Sequence, residues 1–316
     1  MTHRRRPRRR LALALLLALV AAALYLMRDP RPHFAARHAP ITGVVAAPVE
    51  MADSAHTIET VRLTAASGLT VELLVKRPVQ TAPGAPVLLL LGGHRTGRDA
   101  ALLIPDTRGV PVASLSYPFA GSTRLKGLEV VRKVPAIRRA MLDTPPAIML
   151  AVDYLRAQPW AQGREIELVG VSLGVPFTTM AGALDPRVSR VWAIHGSAGS
   201  YRPLEHNMRR QIPWPASVAA AALSTVIIAG PRLDPARWAP QIAPRPFVMV
   251  NAVDDERLPR ASVEALYRSA REPKEQIWVA GGHVRSRPEV VRDLVELVLS
   301  RVMNGARRGT GGEARE

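Results

Sequence analysis

Residues 166–177, IELVGVSLGVPF, constrain the fold of this chain more than any other stretch. The apolar residues at 166, 168, 169 and 171 form the short run that is typical of a strand buried on both faces. The pattern G-x-S-x-G follows at 170–174, and residues 180–184 continue as an amphipathic helix. The sequence therefore predicts a sharp strand-to-helix turn, a nucleophile elbow, with Ser172 at its tip. Glycines two residues to either side let neighbouring backbone pass close by, and the serine hydroxyl reaches solvent.

The composition is that of a globular protein with one large α/β domain or two small ones. The chain has 316 residues, of which 47% are hydrophobic and 22% are charged. It contains no cysteine, which excludes a thiol nucleophile, a thiolate metal site and disulfides. The formal charge is +17, with six arginines among residues 4–10, and aromatic residues make up only 4%. Without a basic stripe interleaved with aromatics, we expect no nucleic-acid partner.

An uninterrupted apolar run, Leu11 to Met27, follows these arginines. Its 17 residues would make about 25 Å of helix, at the short end for a bilayer core of about 30 Å. It is either a cleaved signal peptide or an uncleaved signal-anchor. The run is long for a signal peptide and has no clean A-x-A site before charged residues, so we favour a transmembrane signal-anchor over 1–28. The positive-inside rule then leaves the arginines in the cytoplasm and the rest on the periplasmic or extracellular side; signal cleavage would instead give a secreted protein.

The remaining chain divides into three parts. Residues 29–56 are rich in proline and alanine without sustained periodicity, which predicts a linker between the membrane and the domain. Residues 57–303 carry regular apolar patterns and form the predicted folded domain. Within it, 196–244 is a long irregular stretch that is a candidate cap insertion. The polar, glycine-rich residues 304–316 are predicted to be a disordered tail.

Strand-like and helix-like patterns alternate within this domain. Strands are expected at 57–64, 69–77, 87–91, 110–115, 166–171, 188–194, 247–250 and 276–279, and helices at 146–158, after the elbow, at 261–270 and at 288–303. This alternation predicts an α/β fold with a mostly parallel central sheet flanked by helices. In such sheets ligands bind beyond the carboxyl ends of the strands, so candidate site residues should follow strands directly.

A serine nucleophile needs a base within hydrogen-bond reach and a third group that orients the base. His283 follows the last predicted strand in VAGGHVRSR, where a loop can bend back over Ser172. His195 and His94 also end strands and are rival candidates. The same rule applied to PFVMVNAVDDERLP offers Asp254 and Asp255 as the acid. We prefer Asp255, four residues before Pro259, although both could be acids that favour a helix start through its dipole.

Acyl transfer also requires backbone amides that stabilise a tetrahedral oxyanion. One should be the amide of Leu173, directly after the nucleophile. The other should follow the third strand, where LLLLGGHRTG places Gly93 and His94. Two glycines at a strand end allow close approach to a substrate, although a plain tight turn would use them equally well.

Four stretches carry a resemblance to a known family: LLLLGGHRTG, AVDYLRAQPWAQGREIELVGVSLG, IAPRPFVMVNAVDDERLP and GGH. In order and spacing, residues 57–303 resemble the α/β-hydrolase superfamily, particularly its dienelactone-hydrolase and acetyl-esterase-like branches. The chain order Ser172, Asp255, His283 is also the order of that fold. Two positions depart from the usual pattern: Gly92 replaces the histidine of an HG pair, and Val175 stands where a second glycine is frequent.

The resemblance implies a serine hydrolase with a Ser-Asp-His catalytic triad and no cofactor or metal. The expected activity is hydrolysis of carboxylic esters of a small-molecule acyl substrate through an acyl-enzyme. Two alternatives remain open. One is a catalytically silent α/β-hydrolase domain that acts as a binding module; the other is a peptidase or thioesterase on the same fold.

Overall fold

The structure is a computed structural model that describes Leu17 and residues 27–51, 53–93, 96–119, 128–284 and 288–310. Apart from Leu17, Met27 and Arg28, the predicted signal-anchor over 1–28 lies outside the described residues. In the part of the chain that the structure describes, no helix is both long and apolar enough to cross a membrane.

A nine-stranded sheet forms the centre of the domain, with strand order β1-β2-β3-β5-β4-β6-β7-β8-β9. The strands are β1 Ile41–Pro48, β2 His56–Ala65, β3 Thr70–Pro78, β4 Val87–Leu91, β5 Val112–Leu115, β6 Ile166–Val171, β7 Val188–Ile194, β8 Phe247–Ala252 and β9 Lys274–Val279. The pairings among β1, β2, β3 and β5 are antiparallel, and all pairings from β5 through β9 are parallel. The predicted strands are all present with their ends moved by two residues at most. The prediction of a mostly parallel α/β sheet is confirmed.

Helices cover both faces of this sheet. They are α1 Arg31–Arg37, α2 Leu128–Arg156, α3 Gly174–Leu184, α4 Tyr201–Arg209, α5 Ala216–Ile227, α6 Gly230–Leu233, α7 Pro235–Trp238, α8 Arg260–Ser269 and α9 Pro288–Thr310, with 3₁₀ turns at Gly97–Leu103, Pro159–Ala161 and Ala239–Gln241. Strand residues alternate between two apolar cores. In β4, Leu89 joins the core shared with α2, α3 and α8, whereas Leu88 and Leu90 join the core shared with the Gly97–Leu103 turn and α9.

Helix α2 begins at Leu128, whereas the sequence predicted a helix only from 146. Three prolines inside the helix, at 135, 145 and 146, concealed it, because proline removes a helical hydrogen bond and ordinarily interrupts a helix. The turns after these prolines pack tightly: Ala147, Ile148 and Leu150 are fully buried. Burial of α2 against the sheet therefore outweighs the tendency of its prolines to interrupt the helix.

The segment predicted as a linker, residues 29–56, instead belongs to the domain. It contains α1 and β1, and β1 pairs with β2. Phe34 is buried in the core at 2% exposure. Buried Asp143 accepts hydrogen bonds from Arg37 at 2.9 and 3.1 Å and contacts His33 Nε2 at 2.9 Å. These partners lie more than 100 residues away in sequence, so they leave no local periodicity that sequence reasoning could detect.

The C-terminal end also differs from the prediction. Helix α9 continues to Thr310, through the first half of the predicted disordered tail 304–316, and residues 311–316 lie outside the described part. The apolar periodicity ends near Met303, but backbone hydrogen bonding can continue a helix without apolar side chains.

Candidate active site

Ser172 lies at the carboxyl end of β6, on the turn that leads into α3. Its φ of 53° is in the left-handed region, which is uncommon for a residue other than glycine. The turn is held from both sides: the Ser172 amide donates to the Ile194 carbonyl at 2.8 Å, and the Ser172 carbonyl accepts from the Val175 amide at 3.1 Å. A strained conformation that its surroundings hold in place is typical of functional residues.

The two glycines of G-x-S-x-G are required by close backbone contacts. A Cβ atom on Gly174 would overlap the carbonyl oxygen of Leu91, and one on Gly170 would overlap Thr178 Oγ1. The unusual Val175 is accommodated because its neighbour in the next strand-end loop, Gly196, has no side chain; a Cβ there would lie 2.6 Å from Val175 Cγ1. The bulkier side chain at 175 therefore leaves the turn intact.

A hydrogen-bonded chain leads from Ser172 through His283 to Asp255. Ser172 Oγ lies 2.9 Å from His283 Nε2, and His283 Nδ1 lies 2.8 Å from Asp255 Oδ2. The imidazole is 4% exposed. Because β6, β8 and β9 run parallel, the residues that follow them meet at one edge of the sheet. This is the arrangement in which a histidine can take the proton of a serine hydroxyl.

Asp255, rather than its neighbour Asp254, supplies the carboxylate that contacts the histidine. Asp255 Oδ1 accepts from the backbone amides of Arg257 at 2.9 Å and Leu258 at 3.0 Å, which fixes the carboxylate plane. Asp254 is exposed and its amide donates to the Gly281 carbonyl at 3.0 Å. Burial acts to raise the pKa of the Asp255 carboxyl, but hydrogen bonds to the carboxylate and the adjacent His283 hold it well below its usual range. Asp255 therefore stays ionised at neutral pH.

The rival histidine, His195, lies beside this chain and not within it. Its ring packs edge-to-face against His283 with centroids 5.2 Å apart, and its Nδ1 lies 3.5 Å from Asp255 Oδ2. The same Nδ1 accepts from the Val284 amide at 2.9 Å, so this nitrogen carries no proton. His195 thus anchors the backbone directly after His283. Sequence reasoning found it only as a competitor for the base.

Of the other predicted residues, His94 lies outside the described residues. Gly93 and Leu173 both border the space beside Ser172, and Leu173 is the residue that precedes α3. Sequence reasoning missed Tyr117, whose hydroxyl donates to the Gly92 carbonyl at 2.8 Å and so holds the glycine turn. Burial raises the pKa of Tyr117, which keeps the hydroxyl protonated. The strand-end rule could have found Tyr117, since it lies just after β5.

Two cavities meet at Ser172. The larger, about 650 Å³, lies between the sheet and α9, and the smaller, about 300 Å³, lies under the segment that carries α4 to α7. Ser172, Leu173, Arg257 and His283 border both. The segment predicted as a candidate cap, 196–244, therefore forms one wall of the site.

Among the described residues, His195, Asp255 and His283 form the group whose ligand atoms, within 4.8 Å of one another, could hold a metal ion. The hydrogen bonds above already engage these atoms: His283 Nδ1 faces Asp255, and His195 Nδ1 accepts from a backbone amide. The donor set fits a proton relay better than a metal site.

No protein-family model matches the chain, and no curated protein matches it. Its structure is similar to several solved structures. Acetyl xylan esterase 1 from a Thermoanaerobacterium species has a TM-score of 0.62 at 16% identity, covering 87% of this chain and 94% of that one. An acetyl xylan esterase from a Paenibacillus species gives 0.63 at 16% identity, with 84% and 92% covered. An α/β hydrolase, GrgF, from a Penicillium species gives 0.55 at 18% identity, with 84% and 98% covered. The chain therefore has the α/β-hydrolase fold.

Proposed function

We propose that this protein is a serine hydrolase that cleaves carboxylic esters of small molecules through an acyl-enzyme. The observation that carries the proposal is the hydrogen-bonded chain from Ser172 through His283 to Asp255, at the tip of a strained turn with a cavity on either side. The similarity to solved structures named as esterases supports an ester as the substrate.

Acylation follows from this geometry. Ser172 Oγ attacks the ester carbonyl carbon while His283 Nε2 takes the hydroxyl proton, and Asp255 stabilises the imidazolium that forms. We assign stabilisation of the oxyanion to the amides of Leu173 and of the Gly93 turn. When the tetrahedral intermediate collapses, the bond to the alcohol oxygen breaks and His283 gives that oxygen its proton. The alcohol leaves and the acyl group remains esterified to Ser172.

Deacylation repeats these steps with water as the nucleophile. His283 takes a proton from water as its oxygen attacks the acyl carbon, and the same amides hold the second oxyanion. Collapse breaks the bond to Ser172 Oγ, to which His283 returns the proton. The products are a carboxylic acid and the free enzyme, so the cycle consumes one ester and one water.

The test is labelling with a fluorophosphonate probe together with hydrolysis of p-nitrophenyl acetate. We expect Ser172→Ala to abolish labelling and to lower kcat by roughly 10⁶, the loss seen when a comparable triad loses its serine. Ser269→Ala, on α8 and bonded to its own helix at Leu266, is the matched control and should behave as wild type. Wild-type labelling in Ser172→Ala would show that another serine reacts.

We further propose that Leu11 to Met27 anchors the protein in a membrane with the catalytic domain on the exported side. The apolar run after the arginine cluster supports this orientation. Deleting residues 1–28 leaves α1 in place and should move the protein from the membrane fraction to the soluble fraction. A mature N-terminus near Asp29 would replace the anchor with a cleaved signal peptide.

A further inference from the structure

The larger cavity extends from Ser172 along the sheet and under α9. Its floor is formed by side chains of β4, β6 and β7 that point to the α9 core: Leu88, Leu90, Val169, Val171 and Ile194. Its roof is one stripe of α9: Val291, Leu294, Val295, Val298 and Leu299. This stripe advances about 12 Å along the helix axis. The cavity is therefore long, with the proposed nucleophile at one end.

The lining is aliphatic away from the mouth. Leu90, Ile194, Leu294 and Val298 are each at most 8% exposed, so this part of the lining is buried. Among the described residues that line the cavity, polar groups lie at the Ser172 end: the serine and His283, Thr96, the Gly92–Gly93 backbone and the exposed Arg257. Aliphatic walls favour an apolar guest, because binding removes apolar surface from water.

A space of this size needs an explanation, because protein interiors are close-packed and empty volume destabilises the fold. About 650 Å³ is within the range of ligand-binding cavities and far larger than a packing defect. The valines at 291, 295 and 298 leave space in the cavity that larger side chains at these positions would fill.

We propose that this cavity binds the unbranched aliphatic acyl chain of a medium-chain ester. The inference rests on the proposed function, since it assigns one half of the ester to a place beside Ser172. The smaller cavity accounts for the other half: its walls combine apolar side chains such as Phe177 and Leu204 with polar residues such as Ser197. Because the smaller cavity has about 300 Å³ against about 650 Å³, the long chain belongs in the larger cavity, where the acyl-enzyme keeps it through deacylation.

The first test is a series of p-nitrophenyl esters, from acetate through butyrate to octanoate, which share one leaving group. Each buried CH₂ should raise kcat/KM about fourfold, so octanoate should exceed butyrate by a factor on the order of 10². Hydrolysis that is flat or falls along the series overturns the acyl-chain assignment while leaving the esterase proposal standing. Failure to cleave any ester, with no probe labelling, refutes the esterase instead.

A pair of variants locates the chain. Val298→Phe places a larger side chain in the stripe and should lower the octanoate-to-acetate ratio of kcat/KM at least tenfold. Arg292→Phe adds the same side chain to an exposed position of the same helix and should leave that ratio unchanged. An unchanged ratio in Val298→Phe, with wild-type thermal stability, overturns the proposal.

A binding measurement does not depend on turnover or on the folding of Val298→Phe. The Ser172→Ala variant should bind a fluorescent medium-chain fatty acid with saturable, blue-shifted emission, and octanoate should displace it. No saturable binding overturns the proposal. A further comparison measures kcat/KM for octyl acetate and for p-nitrophenyl octanoate. If a longer chain raises kcat/KM only when it is in the alcohol half, the cavity binds the alcohol and not the acyl group, which refutes the assignment.

Discussion

Asp255→Asn is the most informative single change, because the structure predicts how the new amide will orient. Asp255 Oδ1 accepts from the amides of Arg257 and Leu258 at 2.9 and 3.0 Å, while Oδ2 faces His283 Nδ1 at 2.8 Å. In the variant the amide oxygen takes the place of Oδ1, since only an oxygen can accept from those two N–H groups. The NH₂ group then donates to His283 Nδ1. The proton of the imidazole moves to Nε2, which can no longer accept a proton from Ser172.

The size of the effect follows from these hydrogen bonds. Turning the asparagine over restores the useful tautomer but sets the NH₂ group against the amide donors of Arg257 and Leu258. Leaving those donors unsatisfied costs about 1–3 kcal/mol each, so the competent arrangement is disfavoured by a factor of about 30 to about 2 × 10⁴. The upper end equals the loss of about 10⁴ in kcat for the same change in a comparable triad enzyme.

The assay is kcat for p-nitrophenyl acetate, with the rate of fluorophosphonate labelling as a second measure of serine activation. Both should fall by at least about 30-fold in Asp255→Asn, with little change in thermal stability. The matched control, Asp254→Asn, alters an exposed carboxylate and should cost about tenfold or less. A dead Asp254→Asn beside an active Asp255→Asn would show that the assignment is displaced by one residue. Full activity in both variants would show that neither aspartate orients the histidine, and the proposed triad would be wrong.

Two further predictions test the framework around the site. Gly174→Ala should destabilise the fold by about 1–3 kcal/mol in a urea titration and reduce activity, because its Cβ would overlap the Leu91 carbonyl oxygen. The control is Gly43→Ala, whose Cβ meets only ordinary contacts. Its free energy of unfolding should stay within about 0.5 kcal/mol of wild type. Asp143→Asn should lower the free energy of unfolding by about 2 kcal/mol by weakening the contact to Arg37. Burial acts to raise the pKa of Asp143, but its hydrogen bonds and ion pairs lower it overall. Its stabilising contribution is therefore present above about pH 4 and lost as the pH falls through the folded-state pKa, so the wild type should lose more stability below pH 4 than Asp143→Asn does. An equal loss of stability in both proteins would contradict this reasoning.

The elbow and the strands of the parallel sheet could be predicted from the sequence because their causes are local. The glycines at 170 and 174 are required by atoms that crowd one turn, and short apolar runs such as 87–91 are typical of buried parallel strands wherever they occur. Parallel strands also bring their carboxyl ends to one edge, so Ser172 and His283 could be assigned to one site from the sequence.

Other features were decided by contacts between residues far apart in the chain. The prediction of a linker at 29–56 was wrong because β1 pairs with β2 and Arg37 contacts Asp143. The predicted start of helix α2 was wrong because burial outweighs the effect of its prolines. Whether Asp254 or Asp255 faces the histidine depends on one residue of register at the end of β8, which no periodicity encodes. The cavity under α9 likewise exists only because a helix from the C-terminal end covers strands from the middle of the chain. A sequence pattern reflects interactions between residues that are close together in the chain. These arrangements depend instead on distant partners that only the folded chain brings together.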